Sequence, residues 1–254
     1  MRRIHLAETP AIGETVTFPT AQAHYVSRVL RLRAGDTLAI FDGAGYESQL
    51  NLVRVSGHHV QGHVLSAVRR PPAHSLRVIL GQGLPKNANM DLIVEKCSEL
   101  GLTTLVPLFT ARTVVKETPN RLDTKLERWQ RIAAAAARQS GRSILLDIHP
   151  PQSLTSFCEQ YATLPGKLMC WESEQQVGLR QAIGPLSNTD AIVVLIGPEG
   201  GWTPQEVDEA RSQGFTTISL GPLILRTETA AMTIVGLIRY SCGAFDPQIT
   251  QHDA

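Results

Sequence analysis

Long hydrophobic runs are missing from this chain. No stretch of its 254 residues approaches the roughly 18 consecutive apolar residues that a membrane-spanning helix needs. No membrane partner is therefore expected. Residues 1–8 are basic, but Glu8 and Pro10 interrupt any apolar run, so no secretory signal is expected either. An excess of one charge is also missing: Lys and Arg total 24 against 23 Asp and Glu, which excludes a histone-like polycation. With 19% charged and 43% hydrophobic residues, the chain is too apolar to be disordered. Cysteine is scarce. Cys97, Cys158, Cys170 and Cys242 form no CxxC pair, which argues against a zinc ribbon, a haem attachment motif or a disulfide framework. Reduced, buried, intracellular thiols and a cytoplasmic protein are the expectation.

Several familiar catalytic motifs are absent too. Gly43-Ala44-Gly45 lacks the third glycine of a dinucleotide fingerprint and precedes a strand pattern. The run from Gly81 to Lys86 has neither the spacing nor the Ser/Thr of a phosphate-binding loop. His58, His59 and His63 stand poorly for chelation along a strand, so they read as solvated surface and no metal is expected. No GxSxG elbow occurs. Nucleotide hydrolysis, hydride transfer on a standard dinucleotide fold and serine hydrolysis all lose ground.

What is present divides in two. Residues 1–72 hold eight basic and five acidic residues, a net +3; residues 73–254 hold sixteen and eighteen, a net −2. The first part reads as short strands at 16–18, 37–41, 46–53 and 59–65, with one helix over 21–32 and turns at Gly35-Asp36 and 42–45. This predicts a small antiparallel barrel. Arg69-Arg70-Pro71-Pro72 looks like a linker, because paired prolines continue neither a ladder nor a helix. Beyond it, strands near 76–80, 103–109, 167–171, 191–196 and 217–220 alternate with helical periodicities such as Met90, Ile93, Val94 and Cys97. Alternation of this kind predicts an α/β unit on a mainly parallel sheet, with ligands beyond the carboxyl ends of the strands.

Two segments fall where that rule points. In the first, an apolar strand ends in Ile196-Gly197-Pro198-Glu199-Gly200-Gly201-Trp202, and then Thr203, Pro204 and Glu206 stand as N-cap, first helical residue and capping-box partner. In the second, Leu220-Gly221-Pro222 leads through an apolar stretch to Leu225-Arg226-Thr227-Glu228-Thr229-Ala230, where Thr227 or Thr229 can cap a helix. Each is by itself compatible with a plain tight turn. Two Gly-Pro turns after adjacent-looking strands favour a shared pocket.

These segments resemble the second and third motifs of the SPOUT class of S-adenosylmethionine-dependent RNA methyltransferases, most closely the RsmE family. That family methylates N3 of a uridine in bacterial small-subunit (16S) ribosomal RNA. Further matches are His24-Tyr25-Val26-Ser27-Arg28-Val29-Leu30-Arg31-Leu32 with Gly35-Asp36, Lys96-Cys97-Ser98-Glu99-Leu100-Gly101, Gln139-Ser140-Gly141-Arg142 and Trp171-Glu172-Ser173-Glu174. The resemblance implies a PUA-like RNA-binding barrel over 1–72 and a methyltransferase domain with a deep trefoil knot over 73–254. It also implies a homodimer acting on small-subunit rRNA, free or in an assembled subunit.

By resemblance, S-adenosylmethionine would be held by Trp171, Glu172, Ile196, Gly197, Pro198, Glu199, Gly200, Gly201, Leu220, Gly221, Leu225, Arg226, Thr227 and Ala230. Arg142 or Arg226 would stabilise negative charge on the uracil or bind phosphate, and Glu199 or Glu228 would accept its proton; solvent is the remaining acceptor. Arg2, Arg3, His24, Arg28 and Arg31 would contact RNA. The chain departs from the pattern at Arg138, where a glutamate is expected, and at Leu223, where a basic residue is usual. Other readings are a SPOUT enzyme acting on another RNA or on ribose 2′-oxygen, and an RNA-binding assembly factor without catalysis.

Overall fold

The computed structural model describes residues 2–8, 10–69, 75–86, 89–113, 119–186 and 189–246. Residues 70–72 of the expected linker lie outside them. The chain forms two compact units: Met1–Pro72 with Ala137–Leu145, and Ala73–Ala136 with Leu146–Ala254.

The first unit is built on β1 (Arg3–His5), β2 (Thr15–Thr17), α1 (Thr20–His24), β3 (Thr37–Phe41), β4 (Tyr46–Ser56) and β5 (His59–Arg69). The strands lie in the order β1-β3-β4-β5-β2. Alternating Leu50 and Leu52 of β4 and Val60 and Val64 of β5 are fully buried against Ala23 and Val26. Each such side chain contributes about 1.5–3 kcal/mol of apolar burial. The expected all-antiparallel barrel is corrected on two counts. β1 pairs parallel with β3, because the chain between them carries β2 and α1 before it returns to the sheet. The hydrogen-bonded order also ends at β1 and β2 instead of closing on itself among the described residues.

The single helix expected over 21–32 is also altered. After α1 the chain widens into a π-turn, Tyr25–Val29, in which the Leu30 amide donates to the Tyr25 carbonyl at 2.9 Å. The turn is terminated by Arg31, the one non-glycine residue at positive φ (53°) among those described. Such widened turns are uncommon and often lie at functional surfaces.

Residues 137–145 join this unit through Arg3. Its guanidinium pairs with Glu47 at 2.9 Å, donates to the carbonyls of Ala137 and Arg142 at 3.2 and 3.3 Å, and lies 4.6 Å over the Phe41 ring. Both charged side chains are only 10% exposed. Arg3 is therefore committed inside the unit and does not face a phosphate, contrary to the expectation from sequence. Arg138, the departure from the family pattern, stacks 4.4 Å over the Tyr25 ring.

The second unit comprises β6 (Arg77–Gly83), α2 (Asn89–Glu99), β7 (Thr104–Phe109), α3 (Pro119–Ser140), β8 (Asp147–Ile148), β9 (Gln152–Ser153), α4 (Leu154–Gln160), β10 (Gly166–Cys170), α5 (Leu179–Ile183), β11 (Ala191–Ile196), α6 (Pro204–Ser212), β12 (Thr216–Ile218) and α7 (Thr227–Ser241); the last turn of α3 groups with the first unit. Its sheet runs β12-β10-β11-β6-β7-β8, with every pairing parallel and β9 attached to β7.

All six residues of β11 are buried, as a strand covered on both faces requires. Val194 and Ile196 pack towards Ile93, Ile234 and Val235 of α2 and α7, while Val193 and Leu195 pack towards Phe157 and Val207 of α4 and α6. Burial pushes the Cys97 and Cys158 thiols up to about 12. Strand order reverses at β6, between β11 and β7, so the carboxyl ends of β6, β10, β11 and β12 open on one edge. Among the described residues no helix is long and apolar enough to cross a membrane.

Removing one partner of a buried ion pair strands the other charge, a loss of about 3–5 kcal/mol. Arg3→Ala is therefore expected to lower unfolding stability by about 3 kcal/mol in urea titration monitored by circular dichroism. Unchanged stability would show that Arg3 does not anchor residues 137–145.

Candidate functional site

Each wall of the site starts as a strand that runs out of partners. β11 ends at Ile196, and Gly197-Pro198 turns the chain away from the sheet. A turn closes with the Gly201 amide donating to the Pro198 carbonyl at 2.9 Å, Gly201 at φ +67°. Helix α6 then starts on the capping box anticipated from sequence: the Thr203 hydroxyl accepts from the Glu206 amide, and Glu206 accepts from the Thr203 amide at 2.8 Å. The other Glu206 oxygen accepts from the Ala111 amide at 2.8 Å, tying in the loop after β7.

The Gly83 backbone lies so close to this turn that a Cβ there would stand 2.6 Å from the Pro198 ring and nitrogen. Thr227, first residue of α7, locks the contact. Its hydroxyl donates to the Gly197 carbonyl at 2.6 Å and accepts from the Gln82 amide at 2.9 Å. Gln82 and Thr227 are both buried.

Between these walls lies a cavity of about 530 Å³, within the usual range for small-molecule sites. Of the residues expected to hold a cofactor, Trp171, Glu172, Ile196, Gly197, Pro198, Glu199 and Gly201 line one part of it. Leu220, Gly221, Leu225, Arg226, Thr227 and Ala230 line another. Gly200 does not; its carbonyl accepts from the Arg112 guanidinium at 2.5 Å. Of the expected catalytic residues, Glu199, Arg226 and Glu228 border the cavity.

Arg142 does not. It belongs to the first unit, where its Nε donates to the Ile144 carbonyl at 2.5 Å. Arg2, His24, Arg28 and Arg31 are exposed on that unit, and the His24 ring stacks on His58 at 5.8 Å. Leu223, the second departure from the pattern, is 76% exposed at the cavity rim beside Ile224.

Sequence reasoning missed Asn89, Cys170, Trp202 and Ser219, which also line the cavity, and Gln82, which ties its walls together. The Trp202 indole donates to the Cys170 carbonyl at 3.0 Å, and burial raises the Cys170 thiol. Asn89 carries the larger electrostatic consequence. Its amide reaches Glu199 at 3.3 Å and Glu228 at 3.5 Å. Glu199 also accepts from the Lys86 amide through both oxygens, at 2.9 and 3.1 Å.

With Glu172, the lining carries three carboxylates against one guanidinium, that of Arg226. Such a cavity suits a compact ligand bearing positive charge, with glycine turns that let it approach the backbone. Among the described residues no group of three or more His, Cys, Asp or Glu is placed to hold a metal.

Thr227→Val removes the hydroxyl shared by the Gln82 amide and the Gly197 carbonyl, leaving the carbonyl only the long 3.4 Å contact from Gln82 among the described residues, and a poorly satisfied buried group costs about 1–3 kcal/mol. Thr227→Val is expected to lose about 2 kcal/mol in denaturant unfolding, while Thr227→Ser stays near wild type. Equal stability of the two variants would contradict the role of the hydroxyl.

Comparison with known proteins finds RNA methyltransferases. The profile of the RNA methyltransferase domain matches residues 72–239, and that of the RNA methyltransferase PUA domain matches residues 18–65. The ribosomal RNA small subunit methyltransferase E of Synechocystis is 38% identical over 231 residues, covering 90% of this chain and 74% of that protein. The solved structure of the same-named enzyme from Neisseria gonorrhoeae, bound to S-adenosylmethionine, is 30% identical, with a TM-score of 0.84 and coverage of 94% of this chain and 97% of that one. A putative methyltransferase from Legionella pneumophila, also solved with its bound cofactor, is 28% identical, with a TM-score of 0.87 and the same coverage. More than half of this chain matches a single family along its length, and it belongs to the RNA methyltransferase domain family.

Proposed function

We propose that this chain transfers a methyl group from S-adenosylmethionine to N3 of a specific uridine in small-subunit (16S) ribosomal RNA. The observation that carries the reading is the net negative cavity at the carboxyl ends of β10, β11 and β12, walled by the two Gly-Pro turns. Three carboxylates fit a ligand with a sulfonium and an ammonium group, and Ile196, Leu220, Leu225 and Ala230 offer apolar surface to an adenosyl part. When bound, S-adenosylmethionine supplies an electrophilic methyl group. The relatives' names support the substrate class, small-subunit ribosomal RNA.

The chain's own residues have three tasks. The first is positioning, since holding two reactants in line supplies several kcal/mol. The turns at 196–201 and 220–227 do this for the cofactor. The second is removal of the uracil N3 proton. Here Glu228 is favoured over Glu199, because among the described residues Glu199 accepts three contacts from Lys86 and Asn89, while Glu228 receives only the 3.5 Å contact from Asn89. The third is stabilising the uracil anion. Arg226 suits it, for its guanidinium is exposed at the cavity and has no side-chain partner among the described residues.

In the same reading the first unit is the RNA-binding domain, with Arg2, Arg28 and Arg31 on phosphates and His24 against a base. A second copy covers α7, where Leu237, Tyr240 and the following Phe245 are 44, 71 and 57% exposed. A cytoplasmic enzyme with the family's trefoil knot completes it. Its substrate is rRNA, free or in the assembled subunit.

A strain lacking the gene is expected to lose 3-methyluridine from its 16S rRNA by mass spectrometry; unchanged content overturns the assignment. Failure of the purified chain to bind S-adenosylmethionine in calorimetry would favour a non-catalytic assembly factor, and methylation at ribose would favour another SPOUT activity. Glu228→Gln is expected to lower kcat by about 100-fold or more, the usual share of a general base, with cofactor affinity within about threefold. A larger loss for Glu199→Gln would reverse the two roles. Arg28→Ala is expected to weaken RNA binding by a factor that shrinks as salt rises, because one phosphate contact fewer lowers the salt slope, and to spare cofactor binding.

A further inference from the structure

Glu174 ends the Trp-Glu-Ser-Glu motif, yet it does not touch the cavity and has no part in the chemistry above. It organises the turn after β10. Its carboxylate accepts from the amides of Gln176 at 2.8 Å and Val177 at 3.3 Å and from the Thr217 hydroxyl at 2.6 Å. Its own amide donates to the Trp171 carbonyl at 3.1 Å. These hydrogen bonds, that from Thr217 foremost, hold its carboxyl below the usual carboxylate range, so the group is ionised at neutral pH.

Arg211, in the last turn of α6, meets this anion. Its guanidinium stands 3.5 Å from the Glu174 carboxylate, donates to the Thr217 hydroxyl at 2.9 Å, and lies 5.2 Å over the Trp171 ring. Arg211 does not border the cavity, but Trp171 does. The helix that carries Arg211 begins at Thr203, immediately after the glycine turn. One short helix therefore starts at one wall of the cavity and holds the ring of another with its far end.

We propose that Arg211 is a positioning residue for the cofactor cavity, fixing the Trp171 ring from outside through a cation–π contact anchored by Glu174 and Thr217. The inference rests on the methyltransferase reading of that cavity. A guanidinium held by a carboxylate, a hydroxyl and a ring is already committed. That distinguishes it from an arginine waiting for an RNA phosphate.

The test is calorimetry of the full chain with S-adenosylmethionine, together with steady-state kinetics and thermal melts. Arg211→Ala is expected to weaken cofactor binding, and to raise its KM, by roughly three- to tenfold, the size of one cation–π contact. At saturating cofactor, kcat stays within about twofold, because only binding that is uniform through the reaction is lost.

Arg211→Lys retains the charge facing Glu174 but not the planar face. It is expected to keep the wild-type melting temperature and still bind about twofold more weakly. In a Trp171→Leu background, Arg211→Ala is expected to cost nothing further in cofactor affinity. Full recovery of affinity by lysine, an undiminished loss in the Trp171→Leu background, or a fall in RNA affinity with cofactor affinity unchanged would each overturn the proposal. A wild-type chain that fails to bind S-adenosylmethionine sinks the methyltransferase reading itself. Binding by wild type that Arg211→Ala leaves untouched sinks only the role of Arg211.

Discussion

The site depends on one close approach, that of the Gly83 backbone to Pro198. It leaves no room for a side chain at position 83, and it brings polar backbone groups at the ends of β6 and β11 into a dry interior. Those groups need partners, because a buried orphan carries its full desolvation cost. Gln82 and Thr227 supply them from segments 145 residues apart. The start of α7 is thereby bound to the turn after β11. The hydrogen-bond gain of each contact is modest, but leaving any of them unmade is costly, so this part of the fold forms as a whole. The cavity is the space left between turns that this node holds in place.

Electrostatics sets what can occupy that space. Three carboxylates around one cavity repel each other, and the chain answers by holding Glu199 with the Lys86 amide and Asn89. Asn89 donates to Glu228 as well, so a single neutral amide separates the two acids without neutralising either. The near balance of 24 basic and 23 acidic residues conceals this arrangement. The excess of acid falls in the part of the chain that builds the cavity, and the excess of base falls in the part that carries the exposed Arg2, Arg28 and Arg31.

How much of this could be read from residues alone follows the range of the interaction. The capping box at Thr203 and Glu206, the six buried residues of β11 and the turn at Gly35-Asp36 are local patterns, and all are present in the structure. The glycine turns were legible because positive φ and close approach restrict the residue type. Arg3 was misread as a phosphate ligand because nothing within its own strand reveals Glu47, Phe41 or two carbonyls more than 130 residues away. The position of Arg142 away from the cavity lining was illegible for the same reason. Asn89 and Gln82 carry no signal of their own: an amide at the edge of a helix or strand is unremarkable until the fold supplies its partners. The π-turn at Tyr25–Val29 has the apolar spacing of an ordinary helix, so the extra residue that exposes Arg28 and Arg31 was invisible.

A cavity that binds a cationic methyl donor faces a conflict. Strong attraction to the positive charge favours the bound ground state, and stabilisation that is lost as the charge leaves in the reaction slows it. Carboxylates already engaged with N–H donors exert a weaker field than bare ones. Among the described residues Glu199 is restrained by three contacts and Glu228 by one, which on the proposed reaction divides the two demands between two acids. One acid contributes general complementarity to a cation. In the proposed reaction the other is the carboxylate placed to accept the proton whose loss makes the uracil nitrogen a nucleophile. Arg226, opposite in charge and at the same rim, is on the same proposal the group that meets the anion this proton transfer creates. On that proposal each of the three groups meets a different charge on the reacting pair, and the lining carries both signs.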